Sequence, residues 1–281
     1  MGKENLHDAR LDDDQLEEIE NFELHDDDRN ITDKSFTIIN TNARSLCPKI
    51  QSLVDCFEEL GAAIGTITET WLTDGQSLQD DIQDLNLGSG IGMICRNRAA
   101  NSRGFSHGGV AMIYQTGSCN FSRVDLLNPA EFEVLVCAGT IPGHSRKMIV
   151  VSCYIPPGYD VARGKACLEY IADVVLEMKR KYKEPYLVIS GNFNQWDISA
   201  ALSDYHDVSE TPVGPTRGDR SLDKIYTNFG DSIKKAGSLP PLETENATEE
   251  RTRRSDHRIA FVDELRPMRG LSCPGWPHTS R

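Results

Sequence analysis

Two apolar rhythms alternate along the chain. Short runs rich in Val and Ile read as buried strands, and longer stretches with apolar positions three and four apart read as helices. The strand pattern predicts Phe36–Asn40, Ala63–Ile67, Gly109–Tyr114, Asn120–Leu126, Phe132–Thr140, Lys147–Tyr154, Tyr186–Ser190 and Arg258–Val262. The helical pattern predicts Ile50–Leu60, which stops at Gly61, and Val161–Lys181. Residues 73–107, rich in Gly, Asn, Asp and Ser, predict an irregular stretch with one short strand at Ile91–Cys95, and shorter elements follow Ser190. Strands outnumber helices, yet helices fall between several of them. That combination predicts two sheets packed face to face with helices outside, an α/β sandwich whose strand ends form one active edge.

Composition changes the picture mainly at the ends. Of the 281 residues, positions 1–34 hold 13 Asp/Glu against 4 Lys/Arg, a net of −9 that leaves only −4 for the rest. This acidic segment, poor in aromatics, reads as a loosely structured tail, with a short helix near Asp13–Leu24 as the one element it could form. The whole-chain charge of −13 is therefore weak evidence against a nucleic-acid ligand. Residues 35–265 read as one domain, and 266–281, with Gly, Pro and Ser but no periodicity, as a second loose tail. The eight Cys show no CxxC and several fall inside apolar runs, so free buried thiols in a reducing, intracellular setting are expected. No apolar run is long enough to span a bilayer, so no membrane partner is expected.

Candidate chemistry gathers at the strand ends. Gly191-Asn192-Phe193-Asn194 closes the run Tyr186–Ser190; Glu69, Tyr154 and Asp223 follow or open other strand-like runs; Ser255-Asp256-His257 comes far downstream. Acidic, amide and imidazole side chains at strand ends suit a divalent-metal phosphodiesterase. Taken one at a time, each has a plainer use: Asn40 capping a turn, Glu69 an exposed salt-bridge partner, His257 a solvated or structural ring, Tyr154 a core residue.

The order of the pieces reverses those plainer uses. Asn40–Leu46, Thr68–Leu72, Gly108–Ala111, Tyr154–Pro157, Gly191–Asn194, Leu222–Asn228 and Ser255–His257 together resemble the endonuclease/exonuclease/phosphatase superfamily, and within it the endonuclease domains of non-LTR (LINE-type) retrotransposons. The resemblance covers about 35–265. It implies a four-layer DNase I-like α/β sandwich of two mixed sheets flanked by helices. It further implies a Mg²⁺-dependent DNA endonuclease, with Mn²⁺ as a substitute, that nicks one strand. In such a protein Glu69 holds the metal, Asn40 assists and Asp256 lies on or near it. His257 polarises the phosphate, oriented by Asp223; Tyr154 and Asn194 contact the phosphate or the attacking water. Asn42, Thr216 and Arg254 are expected at the DNA. A monomer acting in the nucleus is expected, with a reverse transcriptase domain in the parent element.

One position departs from the pattern. The motif is Gly-Asp-Phe-Asn, and its Asp orients or deprotonates the attacking water; here the residue is Asn192. An amide is nearly isosteric with a carboxylate but accepts no proton at neutral pH. Engineering, natural decay of an element copy, and a variant in which the metal alone activates water all account for it. The alternatives to an impaired nuclease are an inactive DNA- or metal-binding module and an abasic-site repair endonuclease.

Overall fold

The computed structural model describes residues 36–72, 90–98, 107–126, 132–141, 144, 146–202, 207–243 and 254–263. The two tails, and with them the short helix expected near Asp13–Leu24, lie outside the described residues.

Among the described residues twelve strands form two six-stranded sheets. The first contains β1 (Thr37–Asn42), β2 (Ala62–Thr68), β3 (Ile91–Arg96), β4 (Val110–Gln115), β11 (Lys235–Glu243) and β12 (Arg254–Asp263), in the order β11-β12-β1-β2-β4-β3. The second contains β5 (Asn120–Arg123), β6 (Glu133–Thr140), β7 (Met148–Tyr154), β8 (Tyr186–Asn192), β9 (Ser209–Thr211) and β10 (Asp223–Thr227), in the order β5-β6-β7-β8-β10-β9. Each sheet is mixed in the same way. One central parallel pair, β1–β2 or β7–β8, is flanked by antiparallel neighbours. Two α-helices among the described residues supply the crossovers that parallel pairing requires, α1 (Ile50–Glu59) and α2 (Val161–Lys181).

Alternation along the strands sorts side chains into three cores. Ile38, Ile64, Met112, Leu135, Val150, Val188 and Ile225 fill the space between the sheets. Leu53 and Phe57 of α1 pack on Ile39, Ile67, Ile113 and Phe261, the outer face of the first sheet. Ile171, Val174 and Met178 of α2 pack on Ile149, Val151, Leu187 and Ile189, the outer face of the second. The result is the expected four layers: helix, sheet, sheet, helix. Central strands buried on both faces read as continuous apolar runs, which is why β7 and β8 are plain in the sequence.

Two elements differ from expectation. β11 is nine residues long and carries Pro240-Pro241, residues that argue against a strand. It is an edge strand with register shifts on both sides of Pro241, the one setting in which a missing N–H costs no ladder bond. β12 begins at Arg254 rather than Arg258, so Asp256 and His257 sit within the strand rather than before it.

Candidate active site

Strand register brings the separated motifs into one row. Across β6, β7, β8 and β10, Glu133 pairs with Tyr154, Tyr154 with Asn192, and Asn192 with Asp223. Cross-strand partners share a face, so these side chains are neighbours at the end of the inter-sheet core. The facing strand β1 contributes Asn40 and Asn42, and β12 contributes His257. The sheets are tied together here by polar contacts rather than apolar ones. Asn40 Nδ2 donates to the Gly191 carbonyl (3.2 Å), and Thr66 Oγ1 lies 2.8 Å from Ser190 Oγ.

Gly191 is required by this close approach. Its φ is +150°, and a Cβ there would lie 1.8 Å from the Cys153 carbonyl oxygen. Phe193 then turns outward into the core beneath α2, and Asn194 takes φ +50°. Left-handed backbone is uncommon outside Gly. Among the described residues six non-glycine positions adopt it, and five of them (Arg44, Ser45, Glu69, Trp71, Asn194) lie in the loops that rim this site. Strain concentrated there is maintained by the surrounding hydrogen bonds: Ser45 N and Leu46 N donate to the carbonyls of Glu69 and Thr70, and Trp71 N donates to Gly108.

His257 is buried, and its Nδ1 lies 2.6 Å from Oδ2 of fully buried Asp223. With Asp223 as carboxylate, the shared proton belongs to Nδ1, which turns Nε2 toward the rim, 3.8 Å from Asp256 Oδ1. Asn192 lies between two donors. Its Oδ1 accepts from Asn194 N (3.0 Å), which leaves Nδ2 facing His257 Nδ1 at 3.3 Å. An amide nitrogen has no lone pair to offer there, and turning the amide over would set its NH₂ against the Asn194 N–H instead. A carboxylate would accept from Asn194 N and set no donor against the Nδ1–H that Asp223 already accepts. The pocket is therefore shaped for Asp, and Asn192 satisfies half of it.

Glu69 is partly exposed. Asn42 Nδ2 donates to its Oε1 at 2.8 Å, and the Tyr154 hydroxyl hydrogen-bonds the same carboxylate. Burial first, and then the Glu69 charge, push the Tyr154 phenol far above its ordinary pKa, so it stays a donor. Glu133, whose part was not foreseen, closes the row. Its carboxylate accepts from Gly109 N and pairs with Arg98 at 3.3 Å. Burial raises its pKa, and the nearby Glu69 charge adds to the rise.

The geometry brings some of the sequence-predicted residues together and not others. His257, Asp223, Asn192, Asn194, Tyr154, Glu69 and Asn40 converge. Asn42, expected at the DNA, is instead fully buried: Nδ2 orients Glu69 and Oδ1 accepts from Arg44 N. Thr216 is corrected likewise. It is 0% exposed, and its hydroxyl accepts from Leu222 N (3.1 Å) and Asp223 N (3.0 Å), so it positions the carboxylate that orients His257. Asp256, expected on or near a metal, is held between two guanidiniums, Arg44 at 3.0 Å and Arg217 at 2.6 Å. Burial alone would raise its pKa, but the Arg44 hydrogen bond and the surrounding positive charge outweigh that and lower it. Arg254 opens β12 opposite Glu243 and its side chain lies outside the described residues. Ser255 contributes through position rather than chemistry: Oγ donates to the Asn42 carbonyl (2.6 Å) and accepts from His257 N, stitching β12 to β1.

Among the described residues no three of His, Cys, Asp and Glu gather as a metal-holding group. Mg²⁺ needs less, since one or two carboxylates with waters and substrate oxygens suffice. Glu69, oriented by two donors and open to solvent on one side, fits that sparse kind. Asn40 is fully buried, with Nδ2 on Gly191 and Oδ1 accepting from Thr66 Oγ1, so its carbonyl is already partly engaged.

This is the fold of the DNase I-like hydrolases, the endonuclease/exonuclease/phosphatase type. Among solved structures, the chain is similar to the endonuclease domain of TRAS1, a telomere-specific non-LTR retrotransposon. Identity is 14% and the TM-score 0.56, over 84% of this chain and 100% of that one. It is similar to an endonuclease/exonuclease/phosphatase family protein from Bacteroides thetaiotaomicron, at 14% identity and TM-score 0.60, over 82% and 97% of the two chains. It is also similar to the 3'-5' exonuclease NExo from Neisseria meningitidis, at 15% identity and TM-score 0.55, over 82% and 99%. No protein-family model and no curated protein matches the sequence.

Proposed function

We propose that this chain is a Mg²⁺-dependent DNA endonuclease of retrotransposon type, a phosphodiesterase that nicks one strand, impaired by Asn192. The observation that carries the reading is the pocket around Asn192, where Asn194 N–H and the His257 Nδ1–H already given to Asp223 face one side chain, so that an Asp there sets no donor against them and an Asn does. Each remaining residue has a task that follows from its setting. Glu69 is the side chain that would hold Mg²⁺ (or Mn²⁺), which when bound neutralises phosphate oxygens and lowers the pKa of water. Asp223, through Nδ1, keeps Nε2 of His257 directed at the rim, where a protonated ring stabilises charge growing on the scissile phosphate. Tyr154, kept neutral, donates toward the same region. Asn194 is fixed by its own Nδ2 donating to the Ile155 carbonyl (2.8 Å), which leaves its carbonyl group for water or phosphate. The missing element is a proton acceptor beside His257, and losing a general base typically costs on the order of 10²–10⁴ in rate.

Plasmid nicking with Mg²⁺, comparing this chain with Asn192→Asp, tests the reading. Nicking should rise by roughly 10²–10⁴ in the Asp form. Equal nicking by both forms would show that Asn192 does not occupy the base position. Absence of nicking by both would favour a second reading, an inactive module that binds DNA or metal through the same cleft; the mismatched amide is the observation on its side. An abasic-site substrate in the same assay separates a repair-type endonuclease. DNA as partner, a monomeric state and a nuclear site of action belong to the same proposal.

A further inference from the structure

Glu69 stands in a strained turn whose support lies outside its side chain's own hydrogen bonds. Glu69 takes φ +51° and Trp71 φ +56°. Left-handed backbone at two non-glycine residues this close together persists only where the surroundings fix it. The Cα–Cβ direction of Glu69 follows from that backbone, so whatever fixes the turn also aims the carboxylate.

On one side the turn is held by the segment after β1, where Ser45 N donates to Glu69 O (2.9 Å) and Leu46 N to Thr70 O (3.0 Å). On the other side it is held by Gly108 and Gly109, which lead into β4. Thr70 N donates to Gly109 O (3.3 Å) and Trp71 N to Gly108 O (2.8 Å). Gly109 takes φ +90°, and a Cβ there would lie 2.5 Å from Thr70 Oγ1, so the two segments touch. Two glycines in succession are a weak brace unless they are themselves anchored. Their anchor is Glu133. Gly109 N donates to its Oε2, and Arg98 Nη1 lies 3.3 Å from its Oε1 while donating to His107 O at 3.2 Å. Glu133 opens β6 in the second sheet, whereas Glu69, Gly108 and Gly109 border β2 and β4 in the first. A carboxyl of one sheet thus supports the turn that aims a carboxylate of the other.

We infer that Glu133 is a positioning residue for Glu69, acting through the Gly109 N–H and the carbonyls of Gly108 and Gly109. The inference rests on Glu69 as the metal-holding side chain and adds what keeps it aimed. The property that matters is an oxygen acceptor facing Gly109 N. A carboxylate, a neutral carboxyl and a Gln amide all supply one, and Ala does not.

Mn²⁺ is the probe, its free ion counted by electron paramagnetic resonance during titration of the full chain. Glu69→Ala marks how much of the binding belongs to Glu69. Residues that orient a metal ligand typically carry about 10–100-fold in affinity, so Glu133→Ala should weaken the Glu69-dependent binding by roughly tenfold or more. Glu133→Gln should restore most of it. Gly108→Ala reaches the same contact without altering Glu133, since the added methyl would lie 2.5 Å from Glu133 Oε2 and displace the carboxyl. It should weaken binding in the same direction, and it carries the test if Glu133→Ala fails to fold. Undiminished Mn²⁺ affinity in Glu133→Ala or Gly108→Ala overturns the positioning role and leaves the metal assignment standing. An equal loss in Glu133→Gln and Glu133→Ala overturns it as well, because charge rather than the acceptor would then be at work. If the parent and Glu69→Ala bind Mn²⁺ alike, the metal assignment falls and the positioning role falls with it.

Discussion

Thr216 shows how far a buried hydroxyl can act on chemistry it never touches. Its Oγ1 accepts from Leu222 N and Asp223 N, and its carbonyl accepts from Arg258 N (2.7 Å), so it links the strand bearing Asp223 to the strand bearing His257. Thr216→Val keeps the shape and removes the acceptor. Leaving a buried N–H without a partner costs about 1–3 kcal/mol, and urea unfolding should show a loss of at least that size. An unchanged midpoint would mean that water replaces the hydroxyl. In an Asn192→Asp background the same substitution should lower kcat more than it raises KM, since it displaces a positioning carboxylate rather than a binding surface. The residue scale also separates what Asn192 keeps from what it loses. It keeps the bond from Asn194 N that shapes the loop and offers no acceptor to His257.

At the scale of elements, the strand register does most of the assembly. β7 and β8 run parallel and β10 antiparallel, and their registers put Tyr154, Asn192 and Asp223 side by side although they lie far apart in sequence. Holding that register is the task of α2, which covers the outer face of β7 and β8 through Ile171, Val174 and Met178. Ile171 is completely buried, and Ile171→Ala should cost about 2–5 kcal/mol in urea unfolding, from lost transfer energy plus the cavity left behind. A loss below about 1 kcal/mol would show that the helix settles into the gap. The contrast between α2 and β11 explains which elements were legible. α2 carries an N-cap Asp, a helical apolar stripe and Lys179-Arg180-Lys181 in its last turn, and its bounds in the structure are those the pattern predicts. β11 carries two prolines and a mixed burial pattern because it lies at an edge, where neither pairing on both sides nor burial on both faces constrains its sequence.

For the whole molecule, electrostatics decides how the site responds to pH. Glu133 is buried beside Glu69, and burial raises its pKa against the opposing bonds from Gly109 and Arg98. A carboxyl with a raised folded-state pKa favours folding while protonated. Its contribution is present below the ordinary value near 4.5 and is lost as pH rises through the folded value. Glu133→Gln removes the titration, so the parent should lose stability relative to the variant as pH is raised from about 4 toward neutrality. A difference that is flat with pH, or that runs the other way, would mean that Arg98 governs the carboxyl rather than burial. The same scale shows why overall charge informs so little. The net −13 sits largely in residues 1–34, while the described rim of the site holds Arg44, Arg217 and Arg98.

The sequence by itself determined the layered class of this protein, because burial on one or both faces writes its period directly into the order of apolar residues. It also determined the roster of chemical groups, since Glu69, Tyr154, Asp223, His257 and the altered Asn192 stand at strand ends that apolar runs mark out. It could not determine which polar groups face a ligand and which face the backbone. Asn42 and Thr216 look like contact residues in the motif and are buried scaffolding in the fold, while Glu133, Arg44 and Arg217 look like surface charges and lie at the site. The physical reason is that a hydrogen-bonding side chain carries no sequence mark of its partner. Pairing register and the approach of two sheets choose the partner, and both exist only once the chain has folded.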